Sequence, residues 1–169
     1  MSAGPNTRLF VALWPDDAIR DGLVRARDRW TWSRTTRPTP TANLHVTLVF
    51  LGAVTTERVP EIVEALPVFF EPFELRLGRA ALWGNGIAAL EPAGDCAPLT
   101  ALQAAIGERT AALGFAPEAR RYRPHVTLAR DARGSVAPDA DEGLTWPVDG
   151  YALIQSRGGR YTTVATWRR

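Results

Sequence analysis

The sequence predicts an α+β domain made of two similar antiparallel lobes that face each other. Three observations lead there. The tetrapeptide HVTL occurs twice, at residues 45–48 and 125–128. Short runs with the two-residue period of a strand alternate with three stretches of helical period. No Pro-, Gly- or Ser-rich linker cuts the 169 residues in two, so residues 1–169 are read as a single domain of two lobes, one HVTL motif in each.

Taken in order, RLFVALW (8–14) is a β-compatible apolar run. Pro15 follows at a helix start, with Asp16 and Asp17 placed to favour the N-terminal dipole. Ile19, Leu23, Ala26 and Trp30 then recur at helical spacing, with Arg20, Asp21, Arg25, Arg27 and Asp28 on the other faces, which predicts an amphipathic helix covering a sheet. Pro38 and Pro40 exclude a regular helix or central strand and lead into the first motif strand, NLHVTLVFLG (43–52). A second helix is expected from Ile62, Val63, Leu66 and Phe69, with Pro60 in its first turn. Phe73, Leu75 and Leu77 alternate with Glu74, Arg76 and Gly78 as in a strand with one wetter face, and GNG (84–86) marks a hairpin before IAALEP. The third helix should begin near Pro98, bury Leu99, Leu102, Ile106 and Leu113, and stop at Gly114. RYRPHVTLAR (121–130) is the second motif strand, with Pro124 at its entry. After a loop over 131–143, the end of the chain reads as three short strands, the last two joined by RGGR (157–160).

Composition narrows the function classes. Formal net charge is only +2, too small for a protein that coats nucleic acid through a broad basic field, although a local basic cleft is compatible with it. All 20 basic residues are arginine. The lone Cys96 allows no internal disulfide, and nothing stands near it in sequence at zinc-ligand spacing. No apolar run approaches the roughly 20 residues that span a bilayer, and the start of the chain lacks a signal-peptide pattern. The expected compartment is the cytoplasm and the expected state a monomer.

The chemistry is concentrated in the repeat. Along a strand, side chains alternate between faces, so His45 and Thr47 project together while Val46 and Leu48 turn to the core. His125 and Thr127 do the same. These are the only two histidines in the chain, and both being followed by the same three residues has a chance on the order of one in a few thousand. A core histidine beside a β-favouring threonine is the ordinary reading of either motif alone; the repeat overrides it. Two histidines are too few for a usual metal site, and no Asp or Glu lies at same-face spacing in either motif, so neither metal nor cofactor is expected. What remains is acid–base chemistry. One neutral imidazole accepts a proton and one imidazolium gives one, which suits in-line displacement at phosphorus with hydroxyls and an arginine holding the other oxygens. The motifs themselves do not distinguish the acid from the base.

Two H-x-T-x motifs with apolar residues at x resemble the 2H phosphoesterase superfamily. RLFVAL, NLHVTLVFLG, PHVTLAR and SRGGRY are similar, within it, to the bacterial and archaeal RNA 2′,3′-cyclic phosphodiesterase family, also called 2′-5′ RNA ligase, over roughly residues 8–167. The resemblance implies a bilobal α+β fold, two pseudo-twofold-related antiparallel sheets with helices outside and a central cleft. It implies hydrolysis of an RNA or oligonucleotide 2′,3′-cyclic phosphate to a 2′-phosphomonoester without metal. It also implies His45 as proton donor, His125 as proton acceptor, and Thr47 and Thr127 as phosphate-binding residues. Two departures from the family pattern are Ala42, where an acidic residue is common, and the short RGGR turn.

Arg130 closes the second motif and is a candidate phosphate ligand, yet strict alternation puts it on the Val126 and Leu128 side unless the strand bulges. Arg123, Arg157 and Arg160 are candidate cleft cations, and Tyr122, Phe10, Trp83 and Tyr151 candidate stacking partners for a base. Each of these is more commonly a solvated charge or a core aromatic. Two further readings stay open: reversible 2′-5′ joining of RNA ends, and a module that binds RNA ends or cyclic nucleotides without turnover.

Overall fold

The computed structural model describes residues 4–140 and 142–169. Its strands are β1 (Asn6–Leu13), β2 (Arg37–Pro38), β3 (Val46–Thr55), β4 (Phe73–Leu82), β5 (Ala88–Pro92), β6 (Val126–Arg130), β7 (Leu144–Val148), β8 (Gly150–Arg157) and β9 (Arg160–Arg168). The helices are α1 (Asp17–Asp28), α2 (Val59–Ala65) and α3 (Ala97–Ala112).

Local chemistry sets the helix ends. Asp16 caps α1 by accepting a hydrogen bond from the Ile19 N–H at 2.9 Å, so Pro15 precedes the cap and does not open the helix. Trp30 lies beyond the end of α1 and is nevertheless buried. Gly22 lets α1 approach β7: a Cβ there would fall 2.6 Å from Leu144 Cδ1. The second helix is shorter than its apolar spacing predicts. It stops at Ala65 because Pro67 supplies no N–H and its ring blocks a further turn, which leaves Phe69 outside the helix and 73% exposed. The third helix opens with Pro98 in its first turn, and Gly114 follows it at φ +91°.

Every strand pairing is antiparallel. The order is β7-β4-β5-β6-β3-β1-β8-β9, with β2 added to β6. Cut between β6 and β3, this order gives two four-stranded halves that mirror one another: β3-β1-β8-β9 on one side and β6-β5-β4-β7 on the other. The halves meet at a single register pair, Val46 opposite Val126. Both residues are fully buried, and each is the V of its HVTL motif. The β8–β9 turn places Gly158 and Gly159 at φ +56° and +76°, the two successive positive φ values of the tight hairpin turn expected from RGGR.

One face of the sheet carries the main core, in which α1 contributes Ile19 and Leu23, α3 contributes Leu99, Leu102 and Ile106, and the sheet contributes Val11, Leu48, Leu77 and Leu153 among others. A smaller cluster lies on the opposite face of β1 and β8, formed by Phe10, Ala12, Ala152 and Ile154, with Trp14 and Tyr161 against it. That second cluster forms the floor under the first motif. Tyr151, expected as a possible stacking partner, belongs instead to the main core at 1% exposure. Its hydroxyl donates to the Leu66 carbonyl at 2.7 Å and accepts from the Val68 N–H at 2.9 Å, fastening the segment after α2 to β8. Tyr151→Phe leaves both backbone groups unpaired, so urea unfolding should report a loss of about 1–3 kcal/mol; an unchanged midpoint would show that water replaces the hydroxyl.

Candidate active site

The pairing of Val46 with Val126 assembles the site. Carrying the antiparallel register one residue each way sets His45 across from Thr127 and Thr47 across from His125. Cross-strand partners share a face, so all four side chains stand on the face opposite the two valines. The histidines occupy a diagonal, about 7–8 Å apart at the backbone. Both motif threonines and both histidines are partly buried, while Val46, Leu48, Val126 and Leu128 are buried, as the alternation in the sequence requires.

Each imidazole is aimed by the same device. His45 Nδ1–H donates to the Asn43 carbonyl at 2.6 Å, and His125 Nδ1–H donates to the Arg123 carbonyl at 2.8 Å. A carbonyl only accepts, so the proton sits on Nδ1, and Nε2 of each neutral ring is left as the acceptor nitrogen. At His45 the neutral Nε2 accepts from the Thr47 hydroxyl at 2.9 Å. The entry to each motif strand is also tied. Arg20 donates to the Thr41 and Leu44 carbonyls ahead of β3. The Tyr122 hydroxyl donates to the Thr47 carbonyl at 2.8 Å, and the Thr39 hydroxyl to the Thr127 carbonyl at 2.8 Å.

Arg130 reaches the cleft side by the exception that alternation allows. Against β5, Thr127 pairs with Ala89 and Ala129 with Ala88, which leaves Leu128 as the extra residue of a β-bulge. Leu128 and Ala129 are therefore both buried and Arg130 is exposed, and its charge acts on both imidazoles. The first motif bulges at the matching leucine: Thr47 pairs with Ala12 and Val49 with Val11, skipping Leu48. Phe50 thereby holds the place in the first half that Arg130 holds in the second. It is 57% exposed, opposite Phe10 in register.

The two rings have different surroundings. His45 sits among aromatic rings, with centroids of Phe10 at 4.9 Å, Trp14 at 5.8 Å and Tyr161 at 5.6 Å. His125 has Trp83 at 4.5 Å, itself covered by the Arg123 guanidinium at 4.2 Å. Of the residues flagged from sequence, Phe10, Trp83, Tyr122 and Arg123 join the site, while Arg157 and Arg160 lie in the exposed β8–β9 turn region. Trp14 and Tyr161 were missed. Trp14 follows β1 and Tyr161 is the second residue of β9, and only the register of these strands brings them to His45. Among the described residues no three His, Cys, Asp or Glu side chains group as metal ligands, and no helix is long and apolar enough to cross a membrane.

Burial, the largest influence, pushes His45 down to about 4, and the charges of His125, Arg20 and Arg130 act in the same direction against the bond to Asn43. Burial also pushes His125 below its ordinary value; Arg123 and Arg130 add to this, while the Arg123 carbonyl and Glu91 oppose it. Both rings are therefore mostly neutral at pH 7.

A bilobal antiparallel sheet that turns one His–Thr pair from each half into a common cleft defines the class of two-histidine phosphoesterases. The model of the 2′-5′ RNA ligase superfamily matches residues 15–160, and the chain belongs to this superfamily. It is similar to the RNA 2′,3′-cyclic phosphodiesterase of Thermus thermophilus, 31% identical with 93% of this chain and 87% of that protein covered. The RNA 2′,3′-cyclic phosphodiesterase of Escherichia coli is 29% identical, with 95% of both chains covered. Among solved structures, E. coli LigT complexed with 3′-AMP superposes with a TM-score of 0.83 at 27% identity, over 97% of this chain and 98% of that one.

The depressed titration of His45 has a consequence for stability. In the unfolded chain the ring takes its proton near 6.5, and in the folded chain only near 4. Between these values the unfolded state binds the extra proton, so this contribution to stability is full above about pH 6.5 and is lost as the pH falls towards 4. The loss should reach up to about 3 kcal/mol. Urea midpoints measured from pH 7 to 4 should fall more steeply for the wild type than for His45→Ala; parallel curves would show that the ring titrates normally in the fold.

Proposed function

We propose that the protein is an RNA 2′,3′-cyclic phosphodiesterase in which His125 is the proton acceptor and His45 the proton donor. The observation that carries this is the pairing of the two motif strands at Val46 and Val126, which faces two Nδ1-anchored imidazoles across one cleft. His125 Nε2 takes a proton from a water molecule, and the water oxygen attacks phosphorus in line with the P–O3′ bond. That bond breaks, His45 Nε2 protonates the departing O3′, and a 2′-phosphomonoester with a free 3′-hydroxyl remains. Thr47, Thr127 and Arg130 hold the non-bridging oxygens, where negative charge develops.

Protonation of His45 is coupled to substrate in this scheme. Burial keeps the ring neutral at pH 7, and an anionic phosphodiester beside it favours the imidazolium. A ring that holds its proton weakly is also the stronger acid once charged. The substrate is the end of an RNA chain. A cavity of about 620 Å³ opens on the Thr47 and His125 side and is walled by Phe50, Trp83, Arg120 and Arg121. It offers aromatic surface for a base and guanidinium groups for a backbone phosphate.

Turnover of an oligonucleotide ending in a 2′,3′-cyclic phosphate, assayed in chelator, should leave the phosphate on the 2′ position. His45→Ala and His125→Ala should each lower the rate on the order of 10²- to 10⁴-fold. An inactive wild type, or both variants turning over at the wild-type rate, would defeat the reading. Arg130→Gln should lower kcat on the order of 10²-fold with little change in fold stability, as expected for a lost contact to developing charge. If only KM rises, Arg130 binds the ground state alone.

A further inference from the structure

The two histidines are related by the repeat, yet their cross-strand neighbours differ in chemistry. Leu13 pairs with Val46, so the next residue, Trp14, stands across from His45. In the other half Leu90 pairs with Val126, so the next residue, Glu91, stands across from His125. One position of the repeat thus carries an indole in the first half and a carboxylate in the second. We propose, on the basis of the phosphodiesterase reading above, that Glu91 is a positioning residue that makes His125 the proton acceptor, while Trp14 leaves His45 without a carboxylate and fits it to be the donor.

Among the described residues Glu91 is the buried carboxylate, its side chain only 3% exposed. Oε1 accepts from Trp83 Nε1 at 2.9 Å and from Arg123 Nη2; Oε2 accepts from Arg79 Nε at 2.9 Å and Nη2 at 2.6 Å. Two of those donors belong to the residues that hold the His125 ring. Trp83 packs its indole against the ring, and Arg123 covers that indole while its own backbone carbonyl fixes Nδ1. Removing Glu91 therefore loosens two supports of His125 at once. Burial by itself pushes the Glu91 carboxyl up, but the bonds from Trp83, Arg79 and Arg123 outweigh it and hold the group below its ordinary value, so it is ionised when the enzyme works.

The charges facing His125 come from several elements: Glu91 on β5, Arg123 in the loop before β6, Arg130 on β6 and His45 ahead of β3, with Arg79 of β4 bound to Glu91. Among them Glu91 alone is negative. It favours the imidazolium that forms when His125 takes the proton from water, which makes the ring a stronger base. His45 faces Arg20, Arg130 and His125, all of which disfavour its imidazolium and make it a stronger acid.

The test uses the fact that the chain has only two histidines. Ring resonances of wild type, Glu91→Gln and Glu91→Asp are titrated by NMR, assigned with His45→Ala, alongside the pH profile of kcat/KM on a cyclic-ended oligonucleotide. Glutamine keeps an acceptor for Trp83 but removes the charge. It should move the His125 titration and the acidic limb of the profile to lower pH, leave His45 in place, and lower the plateau about tenfold. Aspartate keeps the charge with a shorter reach. It should hold the His125 titration near wild type while kcat falls. A His125 titration unmoved by glutamine, or moved equally by both substitutions, would overturn the proposal. Inactivity of the wild type on cyclic-ended RNA would instead defeat the phosphodiesterase reading, and the ring titrations would still decide what Glu91 does.

Discussion

The site depends on one backbone relationship: β3 and β6 run antiparallel and touch at their first residues. Because Val46 is opposite Val126, every residue of one motif faces a defined residue of the other, and the alternation of a strand sends both His–Thr pairs to the same side. Slipping either strand by one residue would turn its histidine into the core and its valine into the cleft. That register is protected by burial, since Val46, Leu48, Val126 and Leu128 lie at or below 3% exposure. The apolar letters of HVTL are thus as necessary to the chemistry as the polar ones. They anchor the strand whose other face does the work.

The bulges extend this arrangement. In both motifs the leucine is the unpaired residue, and the change of phase that follows brings the second residue after it round to the cleft side. In one half that residue is Arg130 and in the other Phe50. The same backbone irregularity therefore places a guanidinium in one lobe and an exposed ring in the other. A repeated scaffold with unlike residues at equivalent positions can bind an unsymmetrical ligand, one end of which is an anion and the other a flat base.

What the sequence made legible follows from the range of the interactions involved. The strand character of both motifs, the shared face of His and Thr, the acidic residues at the start of α1, Gly114 after α3 and the RGGR turn depend on neighbours within a few residues, and they were readable; that Asp16 and not Pro15 opens α1 was not. Phe69 was misplaced because apolar spacing continued past Pro67, whose missing N–H ends the helix. The side taken by Arg130 was not readable by alternation, because a bulge is a property of a pairing and not of one strand. The same holds for Trp14, Tyr161 and Glu91. Each is unremarkable in its own segment and becomes part of the site only through the register of β1, β9 or β5 against a neighbour. The cross-strand partners of both histidines follow only from the strand order.

Duplication alone gives a cleft two equal imidazoles, and equal groups make a poor acid–base pair at a single pH. Catalysis needs one ring to hold a proton more weakly than the other when the anion is bound. The structure separates them with surroundings built on ordinary sheet packing. Aromatic rings and the guanidinium groups of Arg20 and Arg130 surround His45, whereas a buried carboxylate stands behind His125. Burial and the neighbouring arginines hold both rings below their ordinary pKa, so the cleft does not carry two imidazolium charges beside Arg130 at pH 7. In the proposed reaction the negative phosphodiester favours a proton on the ring best able to release it, so that the substrate itself would arm the acid.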